Sequence, residues 1–245
     1  MDRRRISRIA HTHHPIAAPL DDATVRRLLG RALRRGDERV LDLGCGEGAW
    51  LLRALDGRPG VTAEGVDLDT GALRKAAREA AGLDAGDRLT LHEQDAGAFT
   101  SPHPFDVVLS VGAAHAFDGL LPTLAAARAH LAPGGTVIVG DVFWEREPTP
   151  ELVKMLGEYE DLASTVDRIV ADGWTPVLAH VSTVREWDDY EWSWTGSLAE
   201  WALDHPADPD SGAALDAAAV HRAEWLHGYR GTLGFVTLLL RRTTS

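Results

Sequence analysis

The chain has 245 residues, with 25 basic and 37 acidic side chains and a formal charge of −12. Hydrophobic residues make up 44% and charged residues 25%, the balance of a soluble globular protein that buries a core without disulfides, and one cysteine, Cys45, excludes an internal one. The charge is split, with ten arginines against five acids in residues 1–40 and −17 on the remainder, which argues against a nucleic-acid-binding body.

The N-terminal twenty residues hold basic groups but no continuous apolar core, so a secretory signal is not expected. The longest apolar runs fall short of the roughly 20 residues of a membrane span. A cytoplasmic protein is the expectation. The Arg3–Arg4–Arg5 run reads as part of a solvated arm.

From residue 38 to 141, short apolar runs alternate with longer amphipathic stretches. ERVLDL is a buried strand, followed by a helix over 48–56. VTAEGVDL is the second strand, with a helix over 70–82. RLTLHEQD and FDVVLSVG are the third and fourth strands, then a helix over 119–131, and GGTVIVGDV is the fifth. This alternation predicts βαβ units, a parallel sheet and right-handed crossovers. Residues 150–171 read as two helices broken near Gly157–Tyr159. TPVLAHVST reads as a sixth strand. Residues 186–229 are mostly helical, interrupted at DHPADPDSG, and TLGFVTLLLRR closes the chain as a strand. The expected organisation is one domain. Its core is 36–143 with 172–184 and 232–243; its helical cap is 1–30, 144–171 and 186–230.

The sharpest motif is VLDLGCGEGAW, residues 40–50. Strand residues run into Gly44, Gly46 and Gly48, and a helix begins. Glycines at this turn let the backbone approach a ligand. Asp67, in GVDLD, ends the second strand, where an acid accepts hydrogen bonds from both ribose hydroxyls. Gly44, Gly46 and Ala49 also satisfy the G-x-G-x-x-G/A pattern of nicotinamide-binding proteins. Asp42 tips the choice. Its carboxylate would stand where a dinucleotide places its pyrophosphate, and like charges repel there. It suits the amino group and sulfonium of S-adenosyl-L-methionine instead.

Five motifs in order carry a family resemblance over residues 38–141. VLDLGCGEG, GVDLD, HEQDAGAF, FDVVLSVGAAHAF and LAPGGTVIVGD resemble the successive motifs of class I, Rossmann-like S-adenosylmethionine-dependent methyltransferases, of the small-molecule type. The resemblance implies a three-layer α/β fold with a doubly wound, mostly parallel seven-stranded sheet, order 3-2-1-4-5-7-6. It implies S-adenosyl-L-methionine as cofactor, held by Asp42, Gly44, Cys45, Gly46, Asp67, Leu68, Asp95, Ala96, Ser110 and Val111. In this reading Asp67 takes the ribose, Asp95 the adenine amino group, and Ala96 offers a backbone N–H. The long tract 186–230 departs from the family pattern and implies an elaborated cap.

Ligands of open α/β sheets lie beyond the carboxyl ends of the strands, so the chemistry is expected after the fourth and fifth. His115, just past the fourth strand, is the candidate general base. Asp141, ending the fifth, is the candidate to orient it or to anchor a substrate amine. Phe143, Trp144, Tyr190, Trp192 and Trp194 are the candidate substrate-pocket residues. His11, His13 and His14 invite a metal reading, but no matching ligand motif supports it; a lid segment is the expectation and no metal is assigned. Residues 186–210 combine eight acids with five aromatics and no lysine or arginine, a surface suited to a cationic or amine-bearing molecule. The expected partner is a small-molecule substrate, with no nucleic acid and no membrane. The rival readings are a nicotinamide-dependent oxidoreductase on a similar fold and a non-catalytic S-adenosylmethionine-binding protein.

Overall fold

The computed structural model describes residues 1–243. In chain order the helices and strands are α1 (Arg3–Ala10), α2 (Asp22–Ala32), β1 (Arg39–Leu43), α3 (Ala49–Leu55), β2 (Thr62–Asp67), α4 (Thr70–Gly82), β3 (Leu89–Glu93), β4 (Phe105–Val111), α5 (Leu120–His130), β5 (Leu131–Trp144), α6 (Pro150–Leu156), α7 (Leu162–Ala171), β6 (Trp174–Val181), α8 (Val184–Asp204), α9 (Ser211–Glu224) and β7 (Leu233–Arg242). Short 3-10 turns lie at Ala96–Ala98 and Ala114–Phe117, and a single π-helical turn, Trp225–Tyr229, continues α9.

The seven strands form one sheet in the order β3-β2-β1-β4-β5-β7-β6, as the resemblance implies. β1 pairs in parallel with β2 and β4, β2 with β3, and β4 with β5. β6 and β7 run antiparallel. Central strand β1 is covered on both faces, and Val40, Leu41 and Leu43 have no exposed surface, as a parallel strand in the middle of a sheet requires. Asp42 is the polar exception in that run.

The chain leaves β1 outward through β2 to β3, then returns to β4 on the other side of β1. Right-handed crossovers therefore put α3 and α4 on one face and α5 on the other. The carboxyl ends of β1 and β4 flank a topological switch point, where open α/β sheets bind ligands.

The residues group into two compact units. The sheet unit holds Asp22–Val142, Ala163–Val181 and the chain from Phe235. The cap unit holds Met1–Asp21, Phe143–Leu162 and Ser182–Gly234. Residues 22–30 and 163–171, placed in the cap on pattern alone, group with the sheet. For α2 the cause is a buried stripe, Val25, Leu28, Leu29 and Ala32, together with ion pairs from Asp22 to Arg53 at 2.6 Å and from Arg26 to Asp56 at 2.9 Å.

The expected solvated arm is instead α1, docked within the cap unit. Its Ala10 joins Leu198, Ala202, Ala214 and Ala218 in one apolar cluster, with Ile6 and Ile9 packed against it. Arg5 pairs with Asp208 at 3.1 Å and with Asp210, and lies 5.0 Å over the Trp201 ring. Helix α8 starts with a reciprocal cap. The Thr183 hydroxyl accepts from the Glu186 N–H, and the Glu186 carboxylate accepts from the Thr183 N–H, which satisfies two donors that a helix start leaves open.

Candidate active site

The glycine turn after β1 is built for close approach. Gly44 has φ +88, and a Cβ there would stand 2.6 Å from the Ala113 Cβ, so no other residue fits. The N–H groups of Gly44 and Cys45 both donate to the Val66 carbonyl, at 2.9 and 3.0 Å. The Gly46 N–H donates to Asp67 Oδ2 at 2.8 Å. A pyrophosphate-binding loop aims such groups at its ligand. Here all three are spent on the end of β2 and are not free for a ligand.

Asp67 is half-buried. Each carboxylate oxygen takes one backbone donor, Gly46 at Oδ2 and Asp69 at Oδ1, the latter at 2.8 Å. The carboxylate is fixed in orientation, and each oxygen keeps acceptor capacity for a hydroxyl. Leu68, next in sequence, is 55% exposed, an apolar surface beside that acid. Asp95 caps the Ala96–Ala98 turn through the Gly97 N–H at 2.8 Å and is exposed. Ala96 is buried.

Asp42 is 3% exposed, and no hydrogen bond or ion pair reaches its carboxyl among the described residues. Burial, with a smaller contribution from Asp67, pushes it up to about 7. A buried carboxyl without a partner is costly, and a cationic ligand would relieve that cost. Cys45 is buried beside it, and burial followed by the charges of Asp42 and Asp67 pushes its thiol well up. It acts as a small apolar filler. The Ser110 hydroxyl, 1% exposed, donates to the Leu43 carbonyl at 3.1 Å. That side chain braces β4 against β1, and Val111 beyond it is half-buried.

His115 stands exposed in the 3-10 turn after β4. Asp141, near the end of β5, takes the Val142 N–H at 2.9 Å. Burial raises the Asp141 carboxyl, opposed by that N–H and by the charge of His115. The two side chains therefore sense each other across adjacent strand ends.

The cap-unit aromatics do not act as one set. Phe143 is 1% exposed and packs its ring on Gly234. Trp144 is buried and sits edge-on to Tyr159. Tyr190 and Trp194 are half-buried on α8. Two residues along a helix is about 200°, so Trp192 turns away from both; it is 52% exposed and leans on Trp225. Trp187 shares the stripe with Tyr190 and Trp194 at i, i+3 and i+7.

The three N-terminal histidines diverge. His11 meets the Tyr190 hydroxyl at 3.1 Å, His13 meets Glu200 at 2.8 Å, and His14 bonds the Ile16 carbonyl at 2.8 Å. Sequence reasoning missed the Glu191 carboxylate, which is buried on α8 and held by His221 and Tyr229, each at 2.7 Å. The available signal was an acid lying within an aromatic stripe at helical spacing.

Residues 41–137 match the family described as a methyltransferase domain. The chain is 29% identical to YjhP, an uncharacterized protein of Escherichia coli (strain K12), over 91% of this chain and 90% of that one. A SAM-dependent methyltransferase from Geobacter sulfurreducens, solved in complex with S-adenosyl-L-homocysteine, aligns with a TM-score of 0.88 and 25% identity, covering 97% of this chain and 98% of that one. A SAM-dependent methyltransferase from Thiobacillus denitrificans, in complex with the same compound, shares the fold with a TM-score of 0.89 and 24% identity, over 99% and 100% of the two chains. Together with the sheet order and the five motifs, these likenesses place the chain in the class I S-adenosylmethionine-dependent methyltransferases. S-adenosyl-L-methionine is its cofactor.

Proposed function

We propose that this methyltransferase acts in the cytoplasm on a small-molecule acceptor, with His115 as general base and Asp141 as the group that orients it. The observation that carries the cofactor's placement is Asp42, buried and without a partner. Its carboxylate would meet the amino group and sulfonium. Asp67 would take the ribose hydroxyls, Leu68 would pack the adenine, and Asp95 with the Ala96 N–H would take its polar edge. Gly44, Cys45 and Gly46 would let the backbone lie close, and Ser110 and Val111 would form the β4 side of the site.

When bound, the cofactor supplies a methyl on positive sulfur; the acceptor's lone pair forms the new bond to that carbon while the carbon–sulfur pair stays on sulfur. Positioning provides much of the rate in such an in-line displacement. His115 would remove the acceptor's proton at a ring nitrogen. Asp141 would hold the imidazolium that forms. The acidic body of the chain, −17 outside residues 1–40, disfavours a polyanionic acceptor such as nucleic acid.

Calorimetric titration with S-adenosylhomocysteine tests the cofactor placement. Charge-assisted hydrogen bonds are worth about 1.5–3 kcal/mol each, so Asp67→Ala should weaken binding at least about tenfold with the fold intact. Unchanged affinity would overturn the assignment.

A further inference from the structure

The sheet unit joins β3 to β4 without a helix. Every other connection between successive strands carries at least one α-helix. Residues 94–104 must pass from β3 across β2 and β1 to β4, three strand spacings or about 14 Å, with one short 3-10 turn, Ala96–Ala98. Only Ala96 and Phe99 are buried among residues 94–104. Phe99, 6% exposed, is therefore the one large apolar anchor of the connection.

That anchor sits between two imidazoles. The Phe99 ring centroid lies 5.0 Å from that of His92 on β3 and 5.3 Å from that of His130 at the end of α5, separations at which aromatic rings attract. A ring N–H of His130 also donates to the Phe99 carbonyl, so ring and backbone are both held. Burial pushes His130 below the ordinary imidazole value, opposed by that hydrogen bond. It meets Phe99 as a neutral ring with one donor. Both imidazoles are fixed in turn. His92 Nε2 meets Glu64 at 2.9 Å, and Glu64 meets Arg39 at 3.3 Å. The Arg39 guanidinium lies 5.0 Å over the Phe105 ring, which stands edge-on to His130 at 6.5 Å. The six side chains close a circuit through β1, β2, β3, β4 and α5, all within the sheet unit.

The start of the connection is pinned as well. The Gln94 N–H donates to the Asp67 carbonyl at 3.1 Å, the Ala98 N–H to the Asp95 carbonyl at 3.1 Å, and the Gly97 N–H to the Asp95 carboxylate at 2.8 Å. Asp95 to Phe99 is a single turn of chain, so a shift of Phe99 displaces Asp95 and Ala96 with it. We propose that Phe99, clamped by His92 and His130, sets where the Asp95 carboxylate and the Ala96 N–H stand, and so fixes the selectivity of the site for an adenine ring. His92, Phe99 and His130 are then positioning residues for cofactor recognition. The proposal rests on the placement of adenine at Asp95 and Ala96, and adds what holds that placement.

Calorimetry on the full chain with two probes tests it: S-adenosylhomocysteine, and S-inosylhomocysteine, in which oxygen replaces the adenine amino group. The wild type should prefer the adenosyl compound by about tenfold or more, since the inosyl oxygen faces an acceptor. Phe99→Leu keeps apolar bulk and loses the stacked ring; His130→Ala, at a half-buried position, loses ring and donor. Each should cut the preference to about threefold or less by weakening the adenosyl compound, with inosyl affinity held within about twofold. A merely structural role would weaken both compounds alike. Asp95→Ala is the control and should abolish the preference. If Asp95→Ala abolishes it while Phe99→Leu and His130→Ala, melting cooperatively, keep the wild-type ratio, the proposal is overturned and the adenine placement stands. No preference in the wild type, or one that survives Asp95→Ala, strikes the adenine placement itself and the proposal with it.

Discussion

Two buried carboxyls sit in two different settings. Asp42, on central strand β1, is 3% exposed and has no partner among the described residues. Glu191, on α8, is 2% exposed and accepts from both His221 and Tyr229. The contrast extends to their neighbours. Asp67 and Asp141 in the sheet unit take backbone donors and keep acceptor capacity. In the cap, Asp188, Asp208 and Asp210 are closed by arginine. An acid left open in a dry place costs stability until a ligand arrives, whereas a closed one contributes to the fold it sits in. Burial alone does not distinguish a site from a brace; the partner list does.

The largest expected effect lies on the open side. His115→Ala should lower the methyl-transfer rate by about 10²–10⁴ with cofactor affinity nearly unchanged. Asp141→Asn should lower it less, since it removes only the partner of the imidazolium. Steady-state kinetics with a radiolabelled methyl donor reads both. A Michaelis constant that moves more than the rate would make His115 a lining residue instead.

On the closed side the effect should fall on stability. Glu191→Ala leaves a buried tyrosine hydroxyl and a histidine without their acceptor, and breaking such a network costs about 3 kcal/mol. Urea unfolding should show that loss, while S-adenosylhomocysteine binding to the folded variant stays at the wild-type value. Loss of cofactor affinity in Glu191→Ala would erase the contrast between the two acids.

Asp42 predicts the opposite pairing. Its folded value, about 7, lies above the ordinary 3.8. The unliganded protein is therefore favoured below 3.8 and loses stability as pH rises through about 7. Asp42→Asn should stabilise the unliganded chain at pH 8 by about 1–2 kcal/mol, less than the full shift because the amide is still buried without a partner. The same substitution should weaken S-adenosylhomocysteine at least about tenfold. In the wild type, binding to the ionised form should weaken by up to about tenfold per pH unit below the folded value; in Asp42→Asn that slope should vanish. A variant that keeps the slope would place the titrating group elsewhere.

How much of this was legible in the sequence differs between the two regions for a physical reason. Parallel strands announce themselves locally, through apolar runs such as Val40–Leu43 ending in glycines, whereas the strand order was what the family resemblance implied. Asp42 and Asp67 were legible because the turn that needs Gly44 also fixes where their carboxyls stand. The cap is set by contacts between segments far apart in the chain. Nothing near Glu191 announces His221 or Tyr229, 30 and 38 residues away. Nothing near Arg5 announces Asp208. Reading Tyr190, Trp192 and Trp194 by alternation applied a period of two to a helix, which is why Trp192 was grouped with the other two. The acidic tract 186–210 was counted without Arg230, Arg185 and Arg5, which lie outside it and pair with four of its eight acids, Asp188, Asp189, Asp208 and Asp210.

The smallest expected effect is the sharpest test of that last point. If the acids of α8 drew an amine, Asp188→Asn and Asp189→Asn would raise the Michaelis constant for amine acceptors, and turnover would fall with salt as exposed attraction is screened over about 8–10 Å. The structure gives both acids other work. Asp188 is occupied by the Arg230 fork, and the mutual contact sets the Arg230 guanidinium higher than usual, first through the hydrogen bonds and then through charge. Asp189 reaches Arg185 only at 3.7 Å, with both side chains largely in water. Exposed pairs of this kind contribute little. Both variants should unfold close to the wild-type midpoint, bind S-adenosylhomocysteine normally, and leave the Michaelis constant of any amine that turns over within about twofold. A rise well beyond that in Asp188→Asn, abolished at high salt, would show that the Arg230 contact opens for a cation.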